Sequence, residues 1–162
     1  AVCMEVLSGN RQVAPRLHDL TVALGGRLLA LAGQAEGEAV EQIAAAIADG
    51  RAMEKFAAMI AALGGPPDMA EDWRTHLPAA PVIGDVVAPG AGFVTAWDGE
   101  ALGLAVVALG GGRRVETDRV DPAVGLTDLI VRGRRVARGE PVATIHARNE
   151  ASAEAAAQAV LG

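Results

Sequence analysis

Apolar positions in the first half of the chain recur every three and four residues, the spacing that lines one face of an α-helix. From Pro15 to about Ala32 they are Leu17, Leu20, Leu24, Leu28 and Leu31, and Pro15 suits a first helical position, where no backbone N–H is needed. Val40, Ile43 and Ile47 repeat the pattern over Glu38 to Ala48, with Asp49-Gly50 as the stop. Met53, Phe56, Ile60 and Leu63 form a third stripe over Arg51 to Leu63, closed by Gly64-Gly65-Pro66-Pro67, which cannot continue a helix. A shorter helical stretch is expected near Asp68 to Trp73. The chain itself opens inside a segment, Ala1 to Ser8, that reads as a helix ending at Gly9.

At Leu77-Pro78-Ala79-Ala80-Pro81 the pattern changes from helix formers to β-branched residues interleaved with glycine, and a boundary is placed there, giving residues 1–76 and 77–162. Val82 to Ala88 and Gly92 to Trp97 read as strands joined through Pro89-Gly90-Ala91, and a hairpin is expected from the turn residues. Asp98 is placed to cap a helix from about Glu100 to Leu109, which Gly110-Gly111-Gly112 ends. Further strands are expected at Leu126 to Val131 and Pro141 to Ala147, separated by a turn region from Gly133 to Gly139. An Ala-rich helix from Asn149 to Leu161 closes the chain with Glu150 and Glu154 on its exposed side. The fold class is therefore α+β: a helical segment, then a mixed β-sheet domain with packed helices.

Composition narrows the chemistry. Half the residues are apolar but aromatics supply only 2%, so the core has to be built from Ala, Val, Leu and Ile. A formal charge of −6 speaks against a sequence-independent nucleic-acid binder, which needs a basic footprint. The single Cys3 excludes an internal disulfide framework and any multi-cysteine metal knuckle, and fits a reducing compartment, so a cytoplasmic location is expected. No apolar run reaches the roughly 20 residues of a spanning helix, and the opening residues carry no basic signal-peptide region, so no membrane role is expected. The chain has no initiator Met, and a preceding natural segment is expected.

Candidate constellations are few. Gly110-Gly111-Gly112-Arg113-Arg114 offers glycine amides and guanidinium groups that suit a phosphate. It lies at a predicted helix end, however, where the dipole is negative, and a tight turn is the preferred reading. His18, His76 and His146 are scattered over separate elements without metal-ligand spacing, and neither Ser8 nor Ser152 sits in a nucleophile elbow. Glu71 and Asp72 are neighbours on a helix, face different directions, and read as solvated. No catalytic, cofactor-binding or metal-ligating residue is assigned.

Val86 to Val94 and Val136 to Ile145 resemble the two half-motifs of biotinyl and lipoyl carrier domains. A carrier presents a lysine at a hairpin tip, though, and the sole lysine, Lys55, lies on a predicted helix outside the sheet region. A stand-alone, non-catalytic protein-interaction module with that fold is the alternative reading.

A longer resemblance covers essentially the whole chain. The run Leu102 to Arg114, followed by Val120-Asp121-Pro122-Ala123-Val124-Gly125-Leu126-Thr127-Asp128, is similar to the C-terminal domain of the thymidine and pyrimidine-nucleoside phosphorylase family. Pro15 to Leu20, Gly50 to Phe56, Leu77-Pro78 and Gly139 to Ala147 resemble family segments in the same order. The resemblance implies that residues 1–76 are a truncated helical segment of the phosphorylase α/β domain and residues 77–162 its hammerhead-like C-terminal domain. It implies reversible phosphorolysis of thymidine in the intact enzyme, with phosphate and a pyrimidine nucleoside as substrates, no organic cofactor, and a homodimer. The family's phosphate- and nucleoside-binding motifs precede the region seen here. A missing N-terminal catalytic half is therefore expected, and this chain alone is expected to be inactive. A family metal position aligns with Val2, where relatives of this kind place a Glu; valine offers no side-chain oxygen, and no metal is assigned. Gly125 to Asp128 leans toward the thymidine-specific type.

Overall fold

A computed structural model describes all residues from Ala1 to Gly162, which form two compact units, Ala1–Leu77 and Pro78–Gly162. The first unit holds α1 (Val2–Leu7), α2 (Pro15–Leu31), α3 (Glu36–Ala48), α4 (Arg51–Ala62) and α5 (Met69–His76). The second holds β1 (Val82–Val87), β2 (Gly92–Phe93), α6 (Gly99–Leu109), β3 (Gly125–Thr127), β4 (Arg135–Val136), β5 (Pro141–Ala147) and α7 (Glu150–Leu161). The class is α+β, as expected.

In the first unit α2 and α3 pack closely because glycines let them. A Cβ on Gly26 would run into the Val40 side chain and lie 3.1 Å from its Cα, and one on Gly25 would meet Ile43 at 3.0 Å. The face that α2 turns to α3 is therefore a glycine face. The leucine stripe that dominates its sequence points elsewhere: Leu24 is 61% exposed, Leu28 68% and Leu31 86%. On α4 the predicted stripe is correct for Met53, Phe56 and Ile60, which pack with Met4, Met69 and Trp73. Leu63 lies past the helix end and is 77% exposed. This cluster departs from a core of aliphatic residues alone, since Trp73 and Phe56 anchor it; Arg74 covers the Trp73 ring at 4.2 Å and pairs with Glu5.

In the second unit β1, β5 and β3 form one antiparallel sheet in that order, while β2 and β4 form a separate antiparallel pair. The hairpin expected between Val82–Ala88 and Gly92–Trp97 is thus corrected. β1 spends its hydrogen bonds on β5, from Val82 opposite Ala147 to Val87 opposite Pro141, and β2 spends its own on β4. The Pro89-Gly90-Ala91 turn hands the chain from one sheet to the other. The strand expected over Leu126 to Val131 stops at Thr127, because Asp128 adopts a left-handed backbone (φ 55°) that no ladder accommodates. Ile130 is nonetheless held, its N–H donating to the Val142 carbonyl at 3.0 Å. The region from Gly133 to Gly139, expected as turn alone, contains β4.

The core of this unit is aliphatic and tight. Val86 is its largest fully buried side chain, surrounded by Leu109, Ile145, Ala147, Ala156 and Val160. Alanines on α7 let that helix approach β1, β5 and α6. Trp97 seals one end, its indole N–H donating to the Ile130 carbonyl at 2.8 Å. Asp98 caps α6 as expected, Oδ1 accepting from the Glu100 and Ala101 amides at 3.0 Å each, and Asn149 caps α7 through Ser152 N–H at 2.9 Å. No helix is long and apolar enough to cross a membrane.

Candidate functional site

The glycine-rich run after α6 is the segment whose composition most suits an anion, and its geometry shows where its donors go. Gly110 takes the left-handed conformation (φ 101°) that ends the helix. Its N–H donates to the Val107 carbonyl at 3.0 Å and that of Gly111 to the Val106 carbonyl at 2.9 Å, so both amides close the helix C-terminus. A Cβ on Gly110 would overlap the Arg148 guanidinium, and one on Gly112 would meet Val107 at 2.7 Å. The glycines fold the chain back over the last turn of α6. The tight-turn reading holds at Gly110 and Gly111.

Beyond the glycines the chain forms a loop pinned at its base. Asp121 N–H donates to the Gly110 carbonyl at 2.9 Å, and the Asp121 carboxylate accepts from Ala123 N–H at 3.0 Å and from Arg148 Nε at 2.9 Å. Within the loop, Asp118 Oδ2 accepts the Arg114 and Val115 amides at 2.9 and 3.2 Å. These contacts set the local acidity. The Ala123 amide, then Arg148, hold Asp121 below the ordinary carboxylate range, and the Arg114 and Val115 amides do the same for Asp118, helped by the charges of Arg114 and Arg113. Arg113, Arg114 and Arg119 form no ion pair.

The three histidines serve three separate local networks. His18 Nδ1 lies 3.1 Å from Asp19, which also takes Arg11 at 2.7 Å. His76 Nε2 lies 2.8 Å from Asp68, the two ends of α5 being tied together. His146, on the exposed side of β5, sits 3.0 Å from Thr127 Oγ1, whose hydroxyl donates to Asp128 at 2.8 Å. With that proton committed to Asp128, His146 Nε2 carries the hydrogen that it gives to Thr127. Sequence spacing gave no sign of this last network, because the register of β3 on β5 creates it. No three His, Cys, Asp or Glu side chains converge as a metal-binding group.

The remaining residues singled out by the sequence have local roles. Lys55 is exposed on α4, in the other unit from the carrier-like sheet. The two carrier-like half-motifs clasp one another, Ala88 N–H donating to the Glu140 carbonyl and Gly139 N–H to that of Ala88, both at 2.9 Å. Val2 is half exposed on α1. Ser8 donates to the Met4 carbonyl at 2.8 Å and Ser152 to that of Asn149 at 2.9 Å, both local helix-end bonds rather than nucleophile settings. Glu71 and Asp72 are exposed, as expected.

The feature that the fold leaves without a partner is therefore apolar. The leucine ridge of α2 stands in solvent, and beside it a cavity of about 430 Å³ opens between α1, α2, α3 and α4, walled by Val6, Leu17, Ile43, Ile47 and Phe56 with Cys3 at its rim. The first unit thus presents an apolar face, and the second a pinned cationic loop.

Comparison with known proteins places the chain in a family. Residues 93–162 match the model of the pyrimidine nucleoside phosphorylase C-terminal domain. The chain is 47% identical over 162 residues to a thymidine phosphorylase of Burkholderia cenocepacia and 46% identical to one of Burkholderia orbicola, with 99% of the chain covered in each case. It spans only 37% of the length of either relative. The chain belongs to the pyrimidine-nucleoside phosphorylase family and corresponds to its C-terminal portion.

Proposed function

We propose that these residues act as the C-terminal part of a thymidine phosphorylase, with 1–76 contributing helices to the α/β domain and 77–162 forming the C-terminal domain. In that reaction a phosphate oxygen attacks the anomeric carbon of thymidine. The glycosidic C–N bond breaks, its electron pair leaves with the pyrimidine, and the products are thymine and 2-deoxyribose 1-phosphate. Such chemistry needs fixed cations and hydrogen-bond donors around a phosphate dianion and a departing anion. Of the groups here that resemble such donors, the Gly110 and Gly111 amides cap α6 and Arg148 is bound to Asp121, while the unpaired Arg113, Arg114 and Arg119 lie exposed on one loop and Lys55 stands alone on an exposed helix surface, with no second cation or hydroxyl converging on any of them. Catalysis and substrate binding are accordingly assigned to residues outside this stretch. The working enzyme is a cytoplasmic homodimer that requires no organic cofactor.

The observation that carries this reading is the 47% identity to a thymidine phosphorylase across 99% of the chain. Its test is a chimera in which the 162 residues replace the aligned stretch of the Burkholderia cenocepacia enzyme. The chimera is expected to convert thymidine and phosphate to thymine, and the same enzyme with the stretch deleted is expected not to. A folded chimera without phosphorolysis contradicts the proposal.

A further inference from the structure

β5 carries a polar stripe along one face, and every member of it reaches across to another part of the chain. Thr144, His146 and Arg148 alternate with the buried Ala143, Ile145 and Ala147. Thr144 donates to Asp85 of β1 at 3.1 Å, His146 to Thr127 of β3 at 3.0 Å, and Arg148 to Asp121 at 2.9 Å. The last two partners belong to one segment, the chain that runs from the end of α6 through β3.

That segment has little else to hold it. No residue from Gly111 to Leu129 is fully buried, and Ile130 is the first that is. Between Gly112 and Val124 a single backbone hydrogen bond joins the segment to the rest of the fold, from Asp121 N–H to the Gly110 carbonyl at 2.9 Å. β3 adds a ladder of three residues, all of it to β5. Segments with few buried contacts open first, and they open in cooperative pieces.

The two side-chain anchors are separated along the segment only by Pro122 to Leu126, and both are set by the same strand. While Arg148 holds Asp121, Thr127 stays within reach of His146, and the converse holds as well. Each bond thus keeps the other's partner at a high effective concentration. We infer that the Thr127–His146 and Asp121–Arg148 pairs form one two-point latch, on which residues 111–127 open and close as a unit while β1 and β5 remain paired. Opening relaxes Asp128 from its left-handed backbone (φ 55°), which the Thr127 hydroxyl braces by donating to its carboxylate at 2.8 Å. The unit carries Arg113, Arg114 and Arg119 with it, so the latch decides whether those three charges are held in place.

The experiment is amide hydrogen exchange, residue by residue, on the full 162-residue chain at fixed pH and temperature. Thr127→Val removes the hydroxyl at nearly constant volume. It is expected to speed exchange of the Asp121 amide, at the other anchor, by roughly three- to tenfold, and that of the amides paired between β1 and β5 by less than about twofold. Thr127→Ser keeps the hydroxyl and is expected to keep the unaltered rates. Because coupling is reciprocal, Asp121→Asn is expected to speed the β3 amides by a similar factor, and the double variant to do less than the two single effects combined. Acceleration confined to β3 in Thr127→Val, with the Asp121 amide untouched, makes the anchors independent and overturns the inference. Acceleration spread equally over β1, β5 and α7 leaves both pairs with a general stabilising role and overturns it too. Should Thr127→Val fail to fold, Asp121→Asn reads the same coupling from the other end: faster β3 amides uphold the latch, and unchanged ones overturn it.

Discussion

Gly110 shows how one residue can serve a helix end and a loop base together. Its left-handed φ lets α6 stop, and its missing Cβ leaves room for Arg148 to reach Asp121. Gly110→Ala is expected to destabilise the chain by about 1 kcal/mol or more, from backbone strain and displacement of Arg148, as read by urea unfolding. The run of glycines and arginines was legible in the sequence as a turn. Its anchors were not, because Asp121 and Arg148 lie far along the chain and only the fold brings them together.

The same carboxylates set an acid limit. Asp118 and Asp121 titrate below their ordinary 3.8, and Glu140 below its ordinary 4.5, the last because it accepts the Ala137 amide and pairs with Arg134. Since the folded values are depressed, their contribution is fully present above the unfolded values and is lost as pH falls through the folded ones. Stability is therefore expected to be flat near neutrality and to decline below about pH 4.5. Asp118→Asn and Asp121→Asn each make that decline shallower when unfolding is followed across pH.

At the scale of elements, the local signals carried well and the long-range ones did not. The cap at Asp98 and the stops at Gly50 and Gly110 appear where the residue types require them, because each acts within one turn of its own helix. Asp98→Ala is expected to cost about 1 kcal/mol in a denaturant melt, the usual loss for an N-cap. Strand pairing is a different matter. Val82–Ala88 and Gly92–Trp97 have hairpin-like residues between them, yet each finds its partner some 40 or more residues away, and nothing in the turn predicts this. The short β4 was hidden for the same reason, being too brief for an alternation pattern to register.

The contact between α2 and α3 sets helix propensity against packing. Gly26→Ala would gain about 1 kcal/mol of intrinsic helix stability. The added Cβ, however, meets Val40, whose backbone cannot withdraw, and overpacking of this kind costs about 1–3 kcal/mol. Packing wins, and a net loss of stability is expected in thermal unfolding. Periodicity found α2 but could not say which of its two apolar faces would meet α3, since leucines advertise burial more strongly than glycines do.

For the whole molecule, the sequence conveyed the α+β class and the family, and the fold and the comparisons agree with both. Its histidines are dispersed among local pairs, its glycine amides cap a helix, and its uncovered surface is a row of leucines. At high concentration those leucines are expected to drive self-association of the isolated chain, visible by sedimentation as a mass that rises with loading. Leu24→Asp with Leu28→Asp should abolish it; a chain that stays monomeric at every loading contradicts this expectation.

The most direct measurement is turnover by the purified 162 residues alone, supplied with thymidine and inorganic phosphate and followed by the appearance of free thymine. A scaffold whose catalytic groups lie elsewhere releases thymine no faster than buffer does. Saturable, phosphate-dependent release by this chain would contradict the account.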